Sequence, residues 1–158
     1  MVISQDNVFS ETKLTVLNFL KDETNGLTDI QSPARSRSKW ILTHFPNRES
    51  GRKSFADFDG YPVVIVSPVV VPEVTGTFSK DKRIGTMAVS VCHQGNTSDW
   101  EILCNETMKR LNAGKPTFST AGMKRLRITD NSVPSDSLSK TNYHQRDFVL
   151  SWTFSEMV

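Results

Sequence analysis

Cys92 and His93 are the side chains whose types come nearest to a nucleophile and its base. They lie in the segment IGTMAVSVCHQ (84–94), where apolar residues alternate with small or polar ones. That period of two predicts a β-strand. Adjacent residues on a strand point to opposite faces, whereas a nucleophile and its base must lie within hydrogen-bonding distance. We therefore interpret Cys92 and His93 as non-catalytic.

The remaining acidic and histidine side chains also lack the spacing that chemistry requires. Asp57-Phe58-Asp59-Gly60 has the DxDG pattern of a calcium loop, but further ligands and a distal Glu do not follow at the fixed spacing. Asp-Gly before a strand is more simply a turn. His44 and His144 stand apart without metal-ligand spacing. We expect no catalytic residues, no metal site and no cofactor, so the chain is not expected to be an enzyme.

The basic residues are concentrated in a few segments. Between residues 33 and 53, six Lys or Arg side chains accompany a single acidic residue, and smaller clusters follow at 80–83 and 123–127. Such clusters can contact phosphate backbones, but few aromatic residues accompany them for bases to stack on. A solvated loop, a protein interface and a nucleic-acid contact therefore all stay open. The residues expected to contact a partner or DNA are Arg35, Arg37, Arg48, Arg52 and Lys53.

Composition restricts the class of protein. The 158 residues carry a net charge of only +2, so no global nucleic-acid or membrane signature exists. Two cysteines without a CxxC pattern favour a reducing compartment over a disulfide scaffold. The N-terminus lacks the features of a signal peptide, and no run of about 18 apolar residues is present, so we expect no membrane contact.

Two segments have helical patterns. Residues 10–25 predict a helix with Ser10 as N-cap, Phe9 stapled onto Leu14, and a stop at Asn25-Gly26. A second helix is expected from a capping box at Ser98–Glu101 to Asn112–Gly114, because Pro116 should prevent continuation. The expected core comprises Leu14, Leu17, Leu20, Val89, Val91, Trp100, Leu103, Met108, Leu150, Trp152 and Phe154.

Outside the helices, the segments that predict strands are 39–45, 61–66, 84–94, 123–129 and 146–154. The flanks of the first, SPARSRSK and NRESGRKS, read as loops, and 130–145 reads as a long polar loop. We predict one α+β domain over 1–158, with a basic loop insertion at about 27–60. It should have a mostly antiparallel sheet, two helices packed on one face, an open opposite face, and extended loops or a β-arm.

The valine-rich segment YPVVIVSPVVVPEVTG (61–76) points to partners. Its composition favours strand, yet three prolines interrupt it, and proline is confined to strand starts, bulges and edges. Edge strands recruit other chains unless they are protected. We expect the second half of this segment to be a proline-bracketed edge, with Val69, Val70, Val71 and Val74 at a subunit interface.

The order of these elements resembles the tail terminator (tail completion) proteins of long-tailed double-stranded-DNA phages, the family of minor tail protein U. The resemblance is carried by ETKLTVLNFL, YPVVIV, RIGTMAVSVCHQ, the capped helix SDWEILCNETMKRLNAG and the strand RDFVLSWTF. It implies a virion protein, assembled in the host cytoplasm, whose ring, usually a hexamer, caps the tail tube. Its partners would be itself, the tail tube protein and a head-completion or neck protein, with genomic DNA passing through the lumen.

Two alternatives remain open. Another neck component, such as a head-closure or adaptor protein, would show much of the same pattern. A nucleic-acid-binding module would instead use the basic loop and MKRLR (123–127).

Overall fold

The computed structural model describes residues 8–45, 60–71, 82–132 and 143–155. Within these ranges five strands form one sheet in the order β1-β2-β3-β5-β4, in which β1 and β2 run parallel and the other neighbours antiparallel. The predicted α+β class with a mostly antiparallel sheet is therefore confirmed. The elements are α1 (Val8–Lys21), a 3₁₀ turn (Arg37–Lys39), β1 (Ile41–Leu42), β2 (Val63–Val66), β3 (Lys82–Gln94), α2 (Thr97–Ala121), β4 (Lys124–Ser132) and β5 (Tyr143–Ser155).

Both helices pack on the same face of the sheet. The Phe19 ring of α1 meets the Phe118 ring of α2 edge-on, with 5.0 Å between ring centroids. The Trp100 indole of α2 donates a 3.1 Å hydrogen bond to the carbonyl oxygen of Val91 on β3. α1 contacts β1 and β2, while α2 contacts β3, β4 and β5. The two helices thus cover the sheet side by side, as predicted.

The core follows most of the sequence pattern. Leu17, Leu20, Val89, Val91, Trp100, Leu103, Leu150 and Trp152 are buried, and Met108 is half-buried against them. Leu14 is 47% exposed, so its assignment to the core was wrong. The buried face of α1 is instead built on Thr12, Val16 and Leu20, which follow the i, i+4 spacing of a helix. The side chain of Phe154 lies outside the described residues.

The helix boundaries differ from the prediction at all four ends. α1 ends at Lys21, before the predicted stop at Asn25-Gly26. α1 begins at Val8, so Ser10 lies inside the helix, and Phe9 and Leu14 are both exposed rather than stapled into a buried contact. The N-cap of α2 is Asn96, whose side chain accepts a hydrogen bond from the Ser98 amide, so the predicted capping box is not the cap. α2 also continues through Pro116 to Ala121.

The face opposite the helices is only partly open. All four residues of β2 are buried, and Ser90 and Cys92 on β3 are buried as well, although they point away from the helices. The expectation of one fully open face was therefore wrong next to β2. Farther along β3 and β5, the same face carries exposed Ile84 and half-buried Ser151 and Thr153.

Regular structure also extends into two of the predicted loops. β4 runs to Ser132 and β5 begins at Tyr143, so both ends of the segment 130–145 are strand. SPARSRSK contains the 3₁₀ turn rather than a structureless loop. Neither helix among the described residues is long and apolar enough to cross a membrane.

Candidate assembly interface

The valine segment leaves β2 and continues along β3. The Ser67 amide donates to the carbonyl oxygen of Ala88 at 2.9 Å, and the Ala88 amide donates to Ser67 Oγ at 2.8 Å. Val70 then forms an isolated antiparallel bridge with Thr86, in which each amide donates to the other carbonyl at 2.8 and 2.9 Å. Residues 67–71 are therefore a strand-like extension that β3 holds on one side.

The three consecutive valines differ sharply in exposure. Val69 is buried with 6% exposure, Val71 is half-buried against the core, and Val70 is 58% exposed. Alternation along an extended chain explains this pattern, because Val69 and Val71 point inward while Val70 points outward. The segment is thus anchored by two side chains and presents the third.

The backbone of the same segment forms a sheet edge. Because Val70 directs its own amide and carbonyl at Thr86, the amides and carbonyls of Val69 and Val71 point away from β3. Among the described residues, β1 pairs with β2 only at Val64 and Ile65, and no described strand pairs with Val69–Val71 on the side away from β3. The predicted edge character of Val69, Val70 and Val71 agrees with this geometry, whereas Val74 lies outside the described residues.

The outward side chain of Val70 belongs to a larger surface. Val70 pairs with Thr86, Thr86 pairs with Ser151, and Ser151 pairs with Arg127, so these four residues form one row across the sheet on the face opposite the helices. Ile84 lies two residues along β3 on the same face and is 48% exposed. Arg127 is also exposed. We call Val70, Ile84 and Arg127 the sheet surface.

Ile84 and Arg127 were not assigned to an interface from the sequence. The signal that places Ile84 there is the alternation of β3, which puts residues 84, 86 and 88 on the face opposite Met87 and Val89. Arg127 could not be placed from alternation alone, because a register irregularity lies between Lys124 and Arg127 on β4.

Arg35 is used inside the fold. Its side chain is 6% exposed and forms an ion pair with the Asp29 carboxylate, with Nε and Oδ2 at 2.8 Å. Nη1 donates to the carbonyl oxygen of Gly60 at 2.9 Å, and Nη2 donates to that of Pro62 at 2.8 Å. Burial acts to raise the pKa of Asp29, but the side-chain and backbone hydrogen bonds from Arg35 outweigh it and hold this pKa below its usual range. Arg35 therefore ties the 29–35 loop to the start of β2.

Arg37 is also directed at its own chain. Its Nε donates to the carbonyl oxygen of Leu27 at 3.2 Å and its Nη2 to that of Glu23 at 3.3 Å. Its side chain is only half-buried. Arg48, Arg52 and Lys53, the other basic residues predicted to contact a partner or DNA, lie outside the described residues.

A polar cluster lies where α2 begins. His93 and His144 are cross-strand neighbours, the His144 ring stacks on Trp100 at 5.2 Å, and Arg146 lies 5.0 Å from the Trp100 ring centre. Burial lowers the pKa of His93; Asp99 acts to raise it and His144 to lower it further. The cluster pins the start of α2 to the sheet.

The two cysteines are buried. Burial raises the pKa of Cys104 to about 12, so its thiol is protonated and unreactive near neutral pH. Cys92 and His93 point to opposite faces of β3, with Cys92 paired to Gln145 and His93 to His144. The geometry therefore separates the pair that most resembled a nucleophile and base.

A groove of about 500 Å³ lies between α1 and the C-terminal part of α2. The described residues of its lining offer hydroxyl, amide and apolar groups and no acid–base side chain, which suits binding better than proton transfer. Among the described residues, no three His, Cys, Asp or Glu side chains are arranged to hold a metal ion. The lining residues of the groove are Thr15, Asn18, Pro116, Thr117, Thr120 and Ala121.

Comparison with known proteins does not assign the chain to a family. No family model matches the chain, and no curated protein matches it. Among solved structures, a chain from the virion of a native gene transfer agent (GTA) particle is similar at 13% sequence identity and a TM-score of 0.41. The match covers 91% of this chain and 94% of that chain. A similarity at this level carries no inference about function.

Proposed function

We propose that this chain is a structural protein of a phage-like virion that assembles with copies of itself through the edge at Val69–Val71. The observation that carries the proposal is the 58% exposure of Val70 between two valines that anchor the segment to the core. A valine presented on a sheet edge that no described strand covers is a feature that recruits other chains.

The sequence around the edge favours one defined neighbour. Pro68 and Pro72 flank the three valines, and proline cannot donate to a β-ladder. Strand addition would use the outward amides and carbonyls of Val69 and Val71. Two outward residues give a short ladder, which pairs one neighbouring strand.

Within a virion, the role we propose is that of a tail terminator. The chain would form a ring, usually a hexamer in proteins of this kind, that occupies the growing end of the tail tube and offers its other side to a head-completion or neck protein. Genomic DNA would pass through the lumen. Arg48, Arg52 and Lys53 are the basic residues proposed to contact DNA or a neighbouring protein, because Arg35 and Arg37 already bind backbone carbonyls.

Substitution of adjacent valines tests the edge. Val70→Asp should leave the monomer folded, with a change of under about 1 kcal/mol, because surface substitutions are usually mild. It should abolish assembly, since a charge would be buried in the contact. Val69→Asp is the matched control and should unfold the monomer, because Val69 is 6% exposed in the core.

The readout is mass by sedimentation or mass photometry, together with a thermal melt. The wild-type protein should show a mass several times 17.8 kDa that persists in high salt. If Val70→Asp assembles like the wild type, the edge is not the interface. A monomer or dimer that binds DNA with an affinity falling steeply with salt would favour the nucleic-acid-binding alternative instead.

A further inference from the structure

The sheet surface needs a complementary partner, and α2 carries one. Ile102 on α2 is 54% exposed. Asp99 and Glu106 lie three residues before it and four residues after it, so all three share one side of the helix. We call Ile102, Asp99 and Glu106 the helix surface. Its centre is apolar, and its border carries two carboxylates, of which Glu106 also forms an i,i+4 ion pair with Arg110 at 3.6 Å. Lys109, seven residues after Ile102, lies on the same side and is exposed.

The sheet surface has the opposite charge. Val70 and Ile84 supply an apolar centre with 58% and 48% exposure. Arg127 lies in the same row as Val70, and Arg125 on the same edge strand is exposed as well. An apolar centre with Arg127 in the same row complements an apolar centre that carries carboxylates at its border.

The two surfaces lie on opposite sides of the molecule. Trp100 and Cys104 direct one side of α2 at the sheet, so Ile102 faces away from it, whereas Val70 and Ile84 are on the face of the sheet that the helices do not cover. A contact between different surfaces on opposite sides is heterologous, and such contacts build rings or filaments rather than two-fold dimers.

We infer that the sheet surface of one copy binds the helix surface of the next copy. This inference rests on the proposed self-assembly and names which surfaces meet. Arg127 of one copy would pair with Glu106 of the next, while Val70 and Ile84 would cover Ile102.

Charge reversal tests the pairing. Arg127→Glu and Glu106→Arg should each raise the protein concentration needed for half-assembly about tenfold or more, because like charges then face each other at every contact. Lys13→Glu on α1 is the matched charge reversal outside both surfaces and should change that concentration by less than about twofold. A thermal melt checks that each variant is folded.

An equimolar mixture of the two variants gives the decisive readout. Arg127→Glu keeps an intact helix surface and Glu106→Arg keeps an intact sheet surface. Alternating copies therefore place opposite charges at both kinds of contact, and assembly should return to within about threefold of wild type. Light scattering and mass photometry on the two single variants and the mixture measure this.

The outcomes separate the two proposals. If the wild type assembles and the reversals have no effect, or if the mixture stays dissociated, the pairing is overturned while self-assembly stands. If the wild type is monomeric throughout the concentration range, self-assembly and the pairing are both overturned. Loss in each single variant with recovery in the mixture supports the pairing.

Discussion

Arg35, which the sequence predicts to contact a partner or DNA, forms a buried ion pair with Asp29 in the structure. The side chains are 6% and 1% exposed, and the guanidinium also serves the carbonyl oxygens of Gly60 and Pro62. Arg35→Met removes the charge and these donors together. It leaves the Asp29 carboxylate buried without its cation and two carbonyls without their donors.

The expected cost follows from that geometry. Breaking a buried ion pair by removing one partner costs about 3–5 kcal/mol, because the remaining charge is left uncompensated. For a chain of this size, each 1 kcal/mol lowers the melting temperature by about 2–4 °C, so the melting temperature should fall by about 6–20 °C. Arg37→Met, in the same loop, breaks two longer bonds of 3.2 and 3.3 Å and should cost about 1 kcal/mol.

Denaturant unfolding of both variants followed by tryptophan fluorescence measures the difference. The pH dependence adds a second readout. Because the pKa of Asp29 is lower in the folded state, its stabilising contribution is present above about pH 4 and is lost as the pH falls through the folded pKa. Arg35→Met should weaken that dependence. If Arg35→Met costs no more than Arg37→Met, Arg35 does not tie the loop to β2 and stays available as a partner contact.

Two further predictions concern the sheet. Burial lowers the pKa of His93 in the folded state; Asp99 opposes this shift and His144 adds to it. The unfolded chain therefore binds the proton more tightly, so the melting temperature should fall as the pH is lowered from about 7.5 to about 5.5. The fall should be smaller in His93→Gln, and an equal fall in that variant would contradict the prediction. A Cβ on Gly85 would lie 2.6 Å from Trp152 Cζ2, so Gly85→Ala should cost about 1–3 kcal/mol in urea unfolding. Trp152→Phe in the same chain should recover part of that loss, and strictly additive losses would show that the ring is not the obstacle.

The sheet was the most predictable part of the fold. Strict alternation in β3 and β5 placed Val89 and Leu150 in the core, because a period of two has no helical equivalent. β1 was harder, since two residues form it and its pairing with β2 is parallel, so it depends on a distant segment rather than on its own pattern. Fold class follows from local patterns, while strand partners follow from tertiary contacts.

The helix ends show where local rules are overridden. Pro116 should end a helix on propensity alone, but Phe118 and Ala121 beyond it are buried, and Phe118 packs on Phe19 of α1. The burial of one aromatic ring offsets the lost hydrogen bond. Asn96 was an available N-cap in the sequence, since Asn ranks with Ser at that position. Leu14 was assigned to the core because it is apolar, but the buried face of α1 includes the polar residue Thr12, which an apolar pattern cannot indicate.

The edge at Val69–Val71 could be predicted from the sequence, but the exposure of its side chains could not. Proline spacing indicated an edge at Val69–Val71, because proline limits pairing whatever the tertiary structure. The burial of Val69 and the exposure of Val70 required the bridge to Thr86, which only the structure supplies. Likewise, the sequence shows Arg35 as one of several basic residues in a loop, and its ion pair with the buried Asp29 is apparent only from the structure.

In the proposed assembly, the edge and the surfaces must fix how each copy is rotated against the next. A heterologous contact extends indefinitely unless each contact also fixes a rotation that brings the last copy back to the first. Apolar side chains alone give little rotational control, because the hydrophobic effect is not directional. Two features would supply direction in the proposed assembly: the outward amides and carbonyls of Val69 and Val71 align a pairing strand, and Arg127, in the same row across the sheet as Val70, orients a carboxylate of the neighbouring copy.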